Sequence, residues 1–257
     1  MAKPRILLYD IETSPNLGYY WSKPWETNII KTEKSWHMLS FAYKWLGENK
    51  VHVKALCDYP LYEANLENDF FLVKDLHALF DEADILVAHN GDRFDMKRAN
   101  ARFLRYNMKP PSPSKTVDTL TVARTYFNLD SNRLNDVGQY LGIGGKIAHT
   151  GFDLWERCMR GDLKAWALMK RYNKRDVVLL EQVYLALRPY MKRHPSLTIY
   201  DHAVDKCPNC LGGPLHRRGE MVALSRKYQR FQCQACGHWT KGPLIPNGRQ
   251  PLVSGAA

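Results

Sequence analysis

Short apolar runs alternate with helical patterns through the first 200 or so residues, and this alternation is the strongest constraint on the fold. The segments RILLYDI, MLSFAYKWL, KVHVKALC and DILVAHN have the length and the β-branched or aromatic content of strands. The segments LVKDLHALFDEA, DMKRANARFLRY and LKAWALMKRYNKRDVVLLEQVYLALRPYM have apolar residues at helical spacing. The alternation predicts an α/β domain in which helices pack on a sheet.

The character of the chain changes near residue 200. From Asp201 onward helical periodicity stops, cysteines occur in pairs, and Gly and Pro separate short strand-like pieces. We therefore predict a large α/β domain over residues 1–200 and a small domain over residues 201–242. Residues 243–257 have no periodicity and are expected to form a disordered tail.

The chain is basic, with 37 Lys+Arg against 26 Asp+Glu and a formal net charge of +11. Such an excess attracts polyanions, nucleic acids among them, although charge alone is also compatible with a merely basic globular protein. No apolar stretch approaches the ~18 residues that a membrane-spanning helix needs, and the opening residues do not resemble an export signal. We therefore expect a cytoplasmic protein, of a bacterial or phage-infected cell.

Two carboxylates, Asp10 and Glu12, stand at the end of the first apolar run. Residues i and i+2 of a strand point to the same face, so both side chains should meet at one spot. Their repulsion is relieved if a cation binds there, and Mg²⁺ or Mn²⁺ takes oxygen ligands from such sites. The alternative is an exposed strand end at which both acids are solvated.

Two further motifs carry acids, one where a predicted strand passes into a helix and one on a face of the long helix. Asp95 follows Phe94 in NGDRFD, directly behind the strand-like ILVAHN, and Tyr172 and Asp176 in YNKRD share one face of the long helix. Each alone has a simpler interpretation, as a helix cap or a surface pair. Asp92 is a rival to Asp95 but lacks a preceding aromatic residue.

In order, spacing and context, the motifs at Asp10, Glu12, Asp95, Tyr172 and Asp176 resemble those of the DEDD superfamily of 3′–5′ exonucleases. The resemblance spans roughly residues 4 to 190 and implies an RNase H-like mixed β-sheet flanked by helices. The third motif has a tyrosine, and Arg171 stands where the His-type subgroup carries its base, so the chain is similar to the DEDDy subgroup. Stand-alone relatives of polymerase proofreading domains are also similar.

The resemblance implies a role for each of these residues. Two Mg²⁺ or Mn²⁺ ions would be bound, with Asp10 shared between them. Glu12 and Asp176 would complete the ligands of the first ion, and Asp95 would support the second. Tyr172 would orient the nucleophile. The expected substrate is DNA, from single-stranded 3′ ends. An RNA 3′ exonuclease or a structure-specific endonuclease of the same fold stays open, as does a non-catalytic nucleic-acid-binding or scaffold protein.

Four cysteines form the pairs CPNC and CQAC: Cys207, Cys210, Cys233 and Cys236. Paired C-x2-C motifs at this separation are typical of a structural Zn²⁺ site, and the intervening residues resemble a zinc ribbon. Disulfides are the alternative. His202, His216 and His238 are spare ligand candidates.

Several basic and aromatic residues are candidates for nucleic-acid contact, because cations bind phosphates and rings stack on bases. They are Trp21 between the first strands, Arg93, Lys97 and Lys174 beside the acidic motifs, and Arg226, Lys227, Tyr228 and Arg230 in the ribbon. The alternatives are a tryptophan in the core and cations that are only solvated. The ribbon could equally bind a protein partner from replication or recombination.

Overall fold

The structure is a computed structural model and describes residues 3–22, 28–201, 205–223 and 226–246. The chain forms two compact units. The core unit is Arg5–Tyr184, and the C-terminal unit is Leu185–Ala257 together with Met1–Pro4. The division lies inside the long helix predicted near the end of the first domain.

The core unit is built on a five-stranded sheet, which consists of β1 (Ile6–Thr13), β4 (Met38–Trp45), β5 (His52–Ala55), β6 (Ile85–Ala88) and β7 (Lys115–Asp118) in the order β5-β4-β1-β6-β7. β1 and β4 are antiparallel, as are β4 and β5, whereas β1, β6 and β7 run parallel. The short strands β2 (Leu17–Tyr19) and β3 (Lys31–Lys34) form a separate two-stranded ribbon. The sheet is therefore mixed, as predicted.

Seven helices lie in the described residues: α1 (Phe70–Glu82), α2 (Asp95–Arg105), α3 (Thr119–Tyr126), α4 (Leu134–Tyr140), α5 (Phe152–Met159), α6 (Leu163–Leu187) and α7 (Thr198–Asp201). Short 3-10 turns occur at Leu56–Asp58 and Arg188–Tyr190. Across the part of the chain that the structure describes, no helix has the length and apolar character to cross a membrane.

Strand β1 is buried on both faces and has two different neighbours. Leu7, Tyr9 and Ile11 belong to the main apolar cluster, and the Tyr9 ring meets the Phe80 ring of α1 edge-on with centroids 4.9 Å apart. Because side chains alternate along a strand, Asp10 and Glu12 point to the opposite face, toward α6. Burial of the apolar face of β1 thus directs the two carboxylates on its other face toward α6.

A buried ion pair connects β4 to the first two helices. Asp69 immediately precedes α1 and is fully buried, and its Oδ2 accepts a hydrogen bond from the Met38 backbone N–H at 2.7 Å. Its Oδ1 accepts bonds from the Arg102 guanidinium and, at 2.5 Å, from the Tyr106 hydroxyl. One carboxylate therefore connects the start of β4 and the C-terminal turn of α2 to the start of α1.

The C-terminal unit contains an antiparallel sheet of β8 (Leu215–Ala223), β9 (Arg226–Cys233) and β10 (Trp239–Ile245), in the order β10-β9-β8. Most of its side chains are exposed or half-buried. β10 continues to Ile245, past residue 242 at which we expected the small domain to end. From residue 247 onward the predicted tail lies outside the described residues.

Candidate active site

Three carboxylates converge at the carboxyl end of β1. One oxygen each of Asp10, Glu12 and Asp176 lies within 4.8 Å of the others. Asp10 and Glu12 come from the face of β1 that points to α6, and Asp176 is buried on that helix. The structure thus brings together the D-x-E motif and the acid of the third motif, which are far apart in the sequence.

Asp95 lies at the start of α2 and accepts a hydrogen bond from the part of β1 that has no neighbouring strand on that side. The parallel pairing of β1 with β6 extends only to Leu8 and Val87, so the Ile11 backbone N–H has no strand partner on that edge. It donates instead to Asp95 Oδ1 at 3.0 Å. Asp95 is buried and the rival Asp92 is exposed, although Asp95 is not one of the three acids that lie within 4.8 Å.

Asn173, next to the motif tyrosine, orients Asp10. Its Nδ2 donates to Asp10 Oδ2 at 2.7 Å and to the Asp10 carbonyl oxygen at 3.2 Å. Its own Oδ1 accepts from the Ser40 hydroxyl at 3.0 Å. Because an amide has one end that donates and one that accepts, these contacts fix its orientation and hold Asp10 toward the cluster.

Lys146 was not among the predicted site residues. Its Nζ lies 2.5 Å from Asp176 Oδ2 and donates to the Tyr172 hydroxyl oxygen at 3.1 Å. The irregular glycine-rich segment between α4 and α5 carries it there, with the Lys146 N–H bound to Asn135 Oδ1 at 3.0 Å. Arg175 Nε holds the Gly145 carbonyl oxygen at 2.9 Å. This segment has no periodicity, so its sequence contains no signal that would have pointed to the site.

Burial makes the acids of the site hard to ionise. It raises the pKa of Glu12 to about 8, with the charge of Asp176 adding to the effect, and raises the pKa of Asp95 to about 7. The pKa of Asp10 also stands well above its ordinary value, because of burial and then of the charge on Glu12. A set of ionised carboxylates at this place therefore needs a cation close by.

The chemistry of the donors fits a hard divalent ion. The cluster offers carboxylate oxygens, which Mg²⁺ and Mn²⁺ prefer. Asp176 Oδ1 is buried and has no hydrogen-bond partner among the described residues. A buried, unpaired carboxylate oxygen is costly unless a ligand satisfies it. Lys146 provides a positive charge at the other oxygen of the same carboxylate.

Tyr172 is buried beside the cluster and keeps its proton. Its ring contacts those of His149 and Trp155 edge-on, with centroids 4.9 and 5.9 Å away. Burial, followed by the charge of Asp176, raises the pKa of Tyr172 above its ordinary value. Trp155 also donates a hydrogen bond to Glu12, so α5 supports both the tyrosine and an acid of the cluster.

A groove of about 450 Å³ adjoins the acids within the core unit. Its lining includes Thr13 and Ser14 at the end of β1, Arg98 of α2, and Phe152 and Trp155 of α5. Trp155 belongs to both the groove and the surroundings of Tyr172, so the groove opens beside the carboxylates. Apolar rings and one guanidinium thus line the space next to the site.

The predicted nucleic-acid contacts in the core unit lie on its surface. Trp21 is 88% exposed, so the alternative that it packs in the core is wrong. Arg93, Lys97 and Lys174 are also exposed. Exposure permits contact with a ligand, but these residues do not take part in the cluster of acids. Their role in binding stays a prediction.

The four predicted zinc ligands form a second cluster, in the C-terminal unit. The sulfur atoms of Cys207 and Cys236 are 3.8 Å apart, as are those of Cys210 and Cys233, and all four cysteines are free thiols. A tetrahedron with Zn–S bonds of ~2.3 Å has edges of about 3.8 Å. The arrangement fits a Zn²⁺ ion and excludes disulfides between these residues as they stand.

The other features of the cysteine cluster agree with this interpretation. Burial raises the pKa of Cys207 to about 11, so the thiolate form needs a cation beside it. The Gly212 N–H donates to Cys210 Sγ at 3.3 Å. His216 and His238 do not join the cluster, and His202 lies outside the described residues.

Comparisons with known proteins give a family and a number of structural likenesses. Residues 25–188 match the family model described as the RNase_H superfamily, and the match confirms the RNase H-like fold. It contains Asp95, Tyr172 and Asp176 and begins after Asp10 and Glu12. No curated protein sequence matches the chain.

One of the structural likenesses is to the family B DNA polymerase from the hyperthermophilic archaeon Pyrobaculum calidifontis. It has a TM-score of 0.49 and 13% sequence identity, and it covers 73% of this chain. The alignment spans 26% of that polymerase chain.

Proposed function

This chain belongs to the RNase_H superfamily, and from that premise we propose that it is a metal-dependent 3′–5′ exonuclease of the DEDDy type that hydrolyses DNA. The observation that carries the proposal is the convergence of Asp10, Glu12 and Asp176 within 4.8 Å, with Tyr172 one helical turn before Asp176. The resemblance of these motifs to the DEDD exonucleases supports the 3′–5′ direction.

The residues present suit two divalent ions. Asp10, Glu12 and Asp176 would hold one ion, and Asp95 together with Asp10 would hold the other. Bound ions of this kind stabilise the attacking and leaving oxygens of a displacement at phosphorus and make hydroxide available near neutral pH. The chain itself keeps the acids in place, through Asn173 on Asp10 and the Ile11 N–H on Asp95.

Tyr172 orients the attacking water and does not remove its proton. A hydroxyl with a pKa above that of an ordinary tyrosine stays protonated near neutral pH. Lys146 donates to its oxygen at 3.1 Å, so the tyrosine's own proton is directed to another acceptor. The same lysine stays charged: burial lowers its pKa, but the charges of Asp176 and Asp10 and the hydrogen bond to Asp176 act together with the neighbouring Tyr172 to raise it above its ordinary value.

The groove beside the acids suits the end of a single strand. Phe152 and Trp155 offer ring surfaces on which unpaired bases can stack, and Arg98 can bind a phosphate. A base inside a duplex cannot reach such rings without being unstacked. We therefore propose a single-stranded 3′ end as the substrate.

The decisive experiment is digestion of 5′-labelled single-stranded DNA by the wild type and by Asp10→Asn, in Mg²⁺, in Mn²⁺ and in EDTA. We expect the wild type to give a descending ladder from the 3′ end with either ion, and no ladder with EDTA. Asp10→Asn should lower the rate by about 10²–10³-fold, the order of effect seen when a transition-state electrostatic group is lost. Circular dichroism checks that the variant is folded.

Asp92→Asn is the matched control, because it removes the same charge from an exposed residue near Asp95. It should keep wild-type activity. A fully active Asp10→Asn would remove this site from consideration. A ladder on RNA alone would favour the RNA exonuclease, and inactivity on both substrates with binding retained would favour the non-catalytic alternative.

A further inference from the structure

Two cations face each other across the last two strands of the C-terminal unit. Arg230 of β9 is directly paired with Lys241 of β10, so their side chains leave the sheet on the same face. Like charges at directly opposite positions destabilise a sheet. Both side chains are exposed, and a bound anion between them would turn the repulsion into attraction.

An aromatic ring lies beside each of these cations. The Arg230 guanidinium carbon is 4.7 Å from the Trp239 ring centroid, and Lys241 Nζ is 4.8 Å from that of Tyr228. Tyr228 and Arg230 are two residues apart on β9, as are Trp239 and Lys241 on β10, so all four share one face. The face carries a pair of cations with a ring at either side.

Part of this face lines a groove of about 1540 Å³ within the C-terminal unit. Its lining includes Arg230, Trp239 and Lys241 of this face, but also Phe231 and Thr240, which point to the opposite face. Tyr190 and Lys192 come from the segment that follows α6, and Tyr228 is not part of the lining. That segment is tied to the ribbon, because the Pro189 carbonyl oxygen bonds with His238 Nδ1 at 2.8 Å and the Leu197 N–H donates to the Pro208 carbonyl oxygen at 2.7 Å. The groove therefore adjoins this face without containing all of it.

The charge of the unit favours a polyanion as the ligand of this face. Residues 185–246 contain 10 Lys+Arg and 3 Asp+Glu, a net charge of +7. The opposite face of the sheet partly neutralises its own charge, since Lys227 Nζ lies 3.8 Å from Glu220 Oε2. Cations alternating with rings match a chain in which phosphates alternate with bases.

We propose that this face of β9 and β10 binds single-stranded DNA, with a phosphate between Arg230 and Lys241 and the adjacent bases on Trp239 and Tyr228. The inference goes beyond hydrolysis and rests on the proposed function only in the choice of DNA. It needs an unpaired strand, because rings can stack on bases only where the bases are unpaired. An acidic protein segment would satisfy the cations but not the alternation of rings and charges.

The test measures fluorescence anisotropy of a labelled oligo(dT) with the full zinc-loaded chain, over a series of salt concentrations. Asp10→Asn is the background in every sample and Ca²⁺ the divalent ion, with a gel to show that the probe stays intact. Arg230→Gln with Lys241→Gln should reduce the slope of log K against log salt by about 0.7–1.4, for one to two lost contacts on a single strand. Trp239→Ala should weaken binding about 5–100-fold and leave the slope unchanged.

The matched control is Arg217→Gln with Lys227→Gln. It removes the same two charges from residues that pair with Phe231 and Val222 and so point to the opposite face. Zinc content shows that each variant keeps an intact ribbon. An effect of the control equal to that of the Arg230/Lys241 variant would overturn the proposal, as would unchanged binding in the Arg230/Lys241 variant or no binding by the Asp10→Asn background protein. Binding without hydrolysis by the wild type would contradict the proposed nuclease and leave this inference standing.

Discussion

The two units of this protein differ in where they carry charge and in how they hold it. The core unit, residues 5–184, has 25 Lys+Arg and 23 Asp+Glu, a net charge of only +2, and gathers one buried and two half-buried acids from distant parts of the chain. Residues 185–246 have a net charge of +7 and place four cysteines within 30 residues. The basic character of the chain therefore belongs mainly to its smaller unit.

The difference shows how each type of site depends on its surroundings. Carboxylates that repel one another stay together only if a packed scaffold imposes their positions, and β1 and α6 provide it. The cysteine cluster lies on short strands whose side chains are mostly exposed. A small unit with little apolar burial depends on cross-links or metals for its stability. We thus expect the core unit to fold by packing and the C-terminal unit by binding an ion.

The largest effect should follow from Cys233→Ser. Structural Zn²⁺ contributes about 10–16 kcal/mol in small zinc domains, so loss of one ligand should unfold β8 to β10 and leave the core unit folded. Hydrogen exchange would show unprotected amides in β8 to β10 alone, together with loss of bound zinc. Cys57→Ser, at a free cysteine outside the cluster, is the control. A C233S protein that retained zinc and a protected ribbon would erase the contrast between the units.

A smaller effect, confined to the core unit, should follow from Asp69→Asn. The change leaves the Arg102 guanidinium without its buried partner, and breaking such a pair costs about 3–5 kcal/mol of unfolding free energy. Urea denaturation gives the value. Glu82→Gln is the control, since its pair with Arg5 is half-exposed and should contribute no more than about 1 kcal/mol. Equal effects of the two changes would mean that burial does not govern these pairs.

The smallest of the three effects should come from Lys146→Met. In metal-free protein the acids would lose the hydrogen bond of an ammonium group, which costs about 1.5–3 kcal/mol for a charged partner. Saturating Mn²⁺ should reduce the difference, because an ion then offsets the same charges. Thermal unfolding with and without Mn²⁺ measures both values, and the exposed Lys174→Met should change stability by less than about 0.5 kcal/mol. A deficit that Mn²⁺ did not reduce would contradict a shared role of lysine and ion.

The sequence predicted those features that depend on periodicity within one element. Alternation along β1 placed Asp10 and Glu12 on one face of the strand, and the helical period placed Tyr172 and Asp176 on one face of α6. Paired cysteines predicted their own cluster because each pair is local. Positions set by such local patterns do not depend on what packs against the element.

Features that depend on packing between elements were beyond such arguments. Lys146 reaches the acids from a segment without periodicity. Asn173 lies next to the motif tyrosine, but nothing in the sequence indicates its contact with Asp10. Trp155 contacts Glu12 from α5, a helix that the sequence patterns did not predict as part of the site. The opposition of Arg230 and Lys241 required the register of β9 and β10, which a bulge between Lys241 and Leu244 shifts. Only tertiary structure fixes these positions.

The contact between Lys146 and Asp176 also determines an order of assembly. A core unit that carries an ammonium group among its acids can complete its fold before any divalent ion arrives, because part of the negative charge is already balanced. If the proposed ions bind at this site, synthesis of the unit does not have to wait for metal supply, and the same molecules would gain and lose ions without unfolding. Its activity would follow the free concentration of the ion, while its abundance would not.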